Sequence, residues 1–98
     1  MVRTSLKVLC MAMDKKGLTK LVEECSELSQ IAAKKMAYMD TDTHPDGNGS
    51  MNLRLEEEMA DVLASIQFVS NKFGLSFEHI SSRSKIKFLR FCEWDQQP

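Results

Sequence analysis

The chain is expected to be all-α: an antiparallel four-helix bundle-like protomer that oligomerises through its apolar helices. Three observations predict this. Glycine and proline are sparse, 4 and 2 in 98 residues, and the segments between them repeat apolar residues at helical rather than alternating spacing. One of these segments is also apolar around much of its circumference, which calls for burial from several directions. A chain this small offers limited cover, and small domains commonly gain stability by assembling.

The first helix is expected from about Ser5 to Lys16, with Leu6, Leu9, Cys10 and Met13 on one face. Gly17 takes the usual position of a C-terminal cap and makes a tight corner. The second helix follows from about Leu18 or Thr19 to Met39, burying Leu21, Cys25, Leu28, Ala32, Met36 and Met39 on one stripe; at 1.5 Å per residue it is about 30 Å long. Residues 40–50 hold nearly every turn-forming type and no apolar side chain, so they form an exposed loop.

A third helix is expected from Met51 or Asn52 to Lys72 or Phe73, with Gly74 as its stop. Leu55, Met59, Val62, Ile66, Val69 and Phe73 fall within an arc of about 80°, and Ala60, Leu63, Ala64 and Phe68 form a second apolar group elsewhere on the helix. Ser76 then caps a fourth helix, running to about Phe91 or Trp94 with Phe77, Ile80, Ile86 and Leu89 on its stripe. The whole of 1–98 reads as one domain.

Composition narrows the function classes. With 13 basic and 14 acidic residues the formal net charge is -1, which argues against a general binder of nucleic-acid polymers or membrane surfaces. No run of about 18 apolar residues marks a membrane span, and Met1 to Lys7 lacks a signal peptide's apolar core. A cytoplasmic protein is the expectation. Cys10, Cys25 and Cys92 are widely spaced without a Cys-x-x-Cys pair, so reduced thiols are the simplest reading. Cys25 sits among glutamates, the opposite of the electropositive setting that activates a thiol, and reads as a small packing residue.

Two acidic clusters carry the chemistry. Glu23, Glu24 and Glu27 lie three and four residues apart on one helix, and Glu58 and Asp61 three apart on another. Glu57 is four residues before Asp61, whereas Glu56 points away. Each cluster alone also fits a solvated helix face, because glutamate favours helices and solubility. Glu23, Glu24 and Glu27 border the Leu21/Leu28 stripe, while Glu58 and Asp61 lie between the main apolar stripe and Phe68. The latter placement implies partial burial, and charges so placed need a partner, a metal or a shifted pKa. Antiparallel packing would bring the clusters face to face. A hard divalent cation with oxygen ligands would relieve their repulsion.

The patterns Glu23-Glu24-x-x-Glu27 and Glu58-x-x-Asp61, with their surroundings from Leu21 to Leu28 and Leu55 to Leu63, resemble the paired signature of the MazG-like, all-α nucleoside triphosphate pyrophosphohydrolases. The resemblance spans about Leu18 to Arg90. It implies a helical homodimer or homotetramer that uses Mg²⁺, with Mn²⁺ as a substitute, to split a nucleoside triphosphate or related nucleotide into a monophosphate and pyrophosphate. By that resemblance Glu23, Glu24, Glu27, Glu58 and Asp61 are metal ligands, and Glu24 or Glu27 orients or deprotonates the water. The interval between the motif halves is long for the family because of the 40–50 loop, and the downstream basic pattern matches only loosely.

Substrate contacts are expected from Lys34, Lys85, Arg90 and Tyr38. Lys34 falls near the angular position of Glu27, two turns or about 10 Å further along the axis, within reach of a triphosphate tail. Tyr38 lies on the carboxylate side and offers a ring to a base, as does Trp94 near the C-terminus. His44 and His79 lack the Glu-x-x-His spacing of di-iron bundles. Two other readings stand beside this one: a noncatalytic helical module whose apolar third helix binds a partner protein, and a nucleic-acid binder using Arg83 to Arg90.

Overall fold

A computed structural model describes the backbone of residues 2–38, 43, 47 and 49–98, and the side chains of the same set from 15 onward. The described residues contain three helices: α1 (Val2–Ala37), α2 (Met51–Phe73) and α3 (Phe77–Asp95). The all-α expectation is met, with three helices rather than four. The difference lies at Gly17, where the expected corner is absent and α1 runs on for 36 residues. The face predicted for Leu6, Leu9, Cys10 and Met13 lies outside the described side chains, as do Met39 and His44.

Gly17 is buried inside α1, and a Cβ built on it would sit 3.2 Å from Phe68 Cε1 and 3.3 Å from Lys72 Cδ. A mid-helix glycine costs about 1 kcal/mol relative to alanine. Here that cost is offset by the close approach of α2, for which the missing side chain leaves room. Gly17 therefore acts as a packing glycine.

The two ends of α2 follow from local chemistry. Ser50, in extended conformation, accepts a hydrogen bond from the Leu53 N–H at 3.1 Å, and an isolated antiparallel bridge joins it to Thr43 across the loop. At the other end Gly74 has φ 64°, and the N–H groups of Gly74 and Leu75 both donate to Ser70 O. Only glycine adopts that left-handed cap without a Cβ penalty. Ser76 begins α3 by accepting from the His79 N–H at 3.0 Å, so the predicted stop and cap are both observed.

α1 and α2 pack as an antiparallel pair: Gly17 lies against Phe68, Glu24 near Asp61, and Glu27 beside Glu58. The seam repeats every three and four residues. On α1 it comprises Gly17, Leu21, Glu24, Leu28, Ile31 and Lys35; on α2 it comprises Met51, Leu55, Glu58, Val62, Ser65 and Val69, all buried or half-buried. Ser65 and Ser70, also buried, satisfy their hydroxyls on the carbonyls of Val62 and Ile66, each at 2.7 Å.

The seam is rotated from the predicted stripes. Cys25 is exposed and Met36 is 75% exposed, while Ile31 is buried in their place. On α2 Met59 is exposed and Met51 is fully enclosed. The expected packing role of Cys25 is thus not observed: it lies one residue, about 100°, from the inward Glu24.

Beyond Gly74 the chain contributes no buried residue, and Phe77, Ile86, Phe88, Leu89, Phe91 and Trp94 on α3 are all exposed. The radius of gyration is 18.2 Å and the extents are 58 × 36 × 19 Å; a compact chain of this length has a radius of gyration of about 13 Å. No helix among the described residues is long and apolar enough to cross a membrane.

Candidate functional site

The helical pair brings three carboxylates to one point. One oxygen from each of Glu24, Glu27 and Glu58 lies within 4.8 Å of the others, and all three residues are half-buried. Glu24 and Glu27 project from adjacent turns of α1. Glu58 meets them from α2 because the register sets it beside Glu27. Two of their oxygens, Glu24 Oε2 and Glu58 Oε2, are buried and make no hydrogen bond among the described residues.

Buried orphan oxygens on clustered acids set the electrostatics. Burial is the first cause that holds the Glu24 carboxyl above its ordinary range, followed by repulsion from Glu27 and Asp61. Burial likewise leads for Glu58, with repulsion from Glu27, Asp61 and Glu57 behind it. Both groups thus favour a proton or a cation over a bare charge. Carboxylate oxygens are the donor type that hard divalent cations take, and Glu24 Oε2 and Glu58 Oε2 are two such donors without a hydrogen-bond partner among the described residues.

The five predicted ligands separate into three positions. Glu24, Glu27 and Glu58 form the cluster. Asp61 is exposed at its edge, close enough to act on both Glu24 and Glu58. Glu23 lies outside the cluster on the exposed side of α1, where its carboxylate accepts from Lys20 Nζ at 3.2 Å. Glu56 and Glu57 are exposed as well.

An open groove of about 400 Å³ adjoins the cluster, lined by Lys20, Glu24, Asp61, Ala64, Ser65 and Phe68. Lys20 was not singled out from the sequence. Its Nζ also lies 3.9 Å from Glu24 Oε1, and the pair with Glu23 is the first cause raising its pKa. Its position three and four residues before Glu23 and Glu24 is the same-face spacing that marked the acids, so the signal was present.

The predicted substrate contacts lie elsewhere. Lys34 is exposed in the last turn of α1, and Tyr38 is 45% exposed just beyond it. Lys85 and Arg90 are exposed on α3, Lys85 beside Ser84, Phe88 and Leu89. None of the four lines the groove beside the carboxylates. His79 is exposed near the start of α3, and no histidine joins the acidic cluster among the described residues.

No family model, curated protein or solved structure matches the chain.

Proposed function

We propose that the protein is a Mg²⁺-dependent nucleotide pyrophosphohydrolase of the MazG-like kind, converting a nucleoside triphosphate or related nucleotide and water into a monophosphate and pyrophosphate. The observation that carries this reading is the convergence of Glu24, Glu27 and Glu58 from two helices, with two buried oxygens that lack partners among the described residues. Three of the five ligands that the Glu-Glu-x-x-Glu and Glu-x-x-Asp resemblance implies stand in this cluster.

Glu24, Glu27 and Glu58 would hold the ion, with Asp61 at the edge and Glu23 able to join only by leaving Lys20. The bound ion supplies charge neutralisation at the phosphate oxygens and a lower pKa for water. Glu24 also lines the groove, a position from which it would accept a proton from the attacking water. Water adds to phosphorus, the bond to the bridging oxygen breaks, and pyrophosphate leaves with those electrons.

The apolar side chains of α3 favour assembly into a homodimer or homotetramer, since contiguous exposed apolar surface marks interaction sites. In such an assembly Lys85 and Arg90 meet the phosphates from a neighbouring copy. The test is hydrolysis of pooled nucleoside triphosphates with Mg²⁺, followed for monophosphate plus pyrophosphate. Diphosphate plus orthophosphate would reject the reaction.

A second reading, a noncatalytic interaction module, draws on the same exposed α3 and on Val22, Leu53 and Leu63 elsewhere. It predicts no hydrolysis and no rise in melting temperature with Mg²⁺, whereas a cation bound only by the folded state stabilises it.

A further inference from the structure

We infer that the groove between Lys20 and Phe68 receives the aromatic base of the nucleotide, with the Phe68 ring as its stacking surface. This rests on the carboxylate cluster holding the phosphates, and it fixes which way the nucleotide lies along the helical pair. Phe68 is 52% exposed although it sits on the helix that packs against α1. One edge of its ring is seated on buried Gly17, whose missing Cβ leaves space for Cε1 and Cδ1. The ring is thus supported from beneath while it lines an open groove.

The groove changes character along its length. Glu24 and Asp61 stand at the cluster end, whereas Ala64 and Phe68 lie one and two turns further along α2. From Asp61 to Phe68 is seven residues, about 10 Å of helix, comparable with the reach of a nucleotide from its phosphates to its base. Phosphates are repelled by Asp61 unless a cation intervenes, and among the described residues Lys20 is the basic side chain lining this groove. A planar, uncharged ring suits the Phe68 end, because every base presents a π-face and stacking tolerates base identity. Tyr38 lies on the other side of the cluster, at the loop end of α1. The two aromatic positions therefore make opposite assignments.

The experiment is titration calorimetry of the full chain with Mg²⁺, using α,β-methylene nucleoside triphosphates and, as a ligand without a base, inorganic tripolyphosphate. The wild type is expected to bind the nucleotide analogues more tightly. Phe68→Ala should weaken them about 5- to 100-fold and leave tripolyphosphate unchanged. Phe68→Leu keeps the apolar volume on Gly17 and should also lose most of the preference, which guards against a folding defect in the alanine variant. Equal wild-type affinity for the two ligand classes, an equal loss of both in the variants, or loss of the preference in Tyr38→Ala in place of Phe68→Ala would overturn the assignment while leaving the pyrophosphohydrolase reading intact. Failure of the wild type to bind either ligand would overturn both.

Discussion

Glu27 and Glu58 approach each other across the α1–α2 seam, with Glu24 completing a cluster in which one oxygen from each acid lies within 4.8 Å of the others. The antiparallel register fixes this meeting, and it sets protonation and cation binding against a cost in folding stability.

That cost has a definite pH dependence. Glu58 is raised above its ordinary value of 4.5, first by burial and then by Glu27, Asp61 and Glu57, so the folded state holds this proton more tightly than the unfolded chain. The penalty is absent below the unfolded pKa and grows as pH rises through the folded value. In chelator, Glu58→Gln should therefore melt higher than wild type by a margin that opens as pH rises above the ordinary value of 4.5. A margin independent of pH would remove Glu58 as its source.

Added Mg²⁺ should reverse that order. A cation at hundredfold excess over its dissociation constant stabilises the folded protein by about 2.7 kcal/mol. Wild type should gain this in a thermal melt and Glu58→Gln little of it. The same variant is expected to lose about 100-fold or more in hydrolysis, measured as pyrophosphate release.

Lys20 stands beside Glu23 and Glu24 as a resident cation. Replacing it with methionine should tighten Mg²⁺ binding about 2- to 10-fold by calorimetry, because it removes a like charge from the site. Weaker binding would mean that Lys20 instead holds Glu24 in place.

Met51 is fully enclosed at the start of α2. Met51→Ala should cost about 2–5 kcal/mol, a fall in melting temperature of order 10 °C or more. Cys25→Ser, at an exposed position, should stay within about 0.5 kcal/mol.

Phe88 and Leu89 are 64% and 62% exposed on a helix that contributes no buried residue. If the protein assembles through α3, as proposed, the double change Phe88→Glu and Leu89→Glu should lower its sedimentation coefficient to that of a monomer while leaving the helical content of α1 and α2 unchanged. An unaltered sedimentation coefficient would remove α3 as an assembly surface.

Local chemistry made much of the fold legible. The helical periodicity, the turn-rich residues between α1 and α2, the stop at Gly74 and the cap at Ser76 all depend on neighbours within one turn, and the sequence alone determined them. The two acidic clusters were legible as well, since same-face spacing is also local. Gly17 was different. The signal for a helix end is identical to that for a packing glycine, and only the approach of Phe68 and Lys72 from α2 decides between them. The division among the five acids had the same origin: Glu23 and Glu24 are adjacent in sequence but about 100° apart on the helix, and the rotation of the seam sends one to Lys20 and the other to Glu58. Sequence determined which residues share a face, and tertiary packing decided which face turns inward, because that choice depends on the shape of the partner helix.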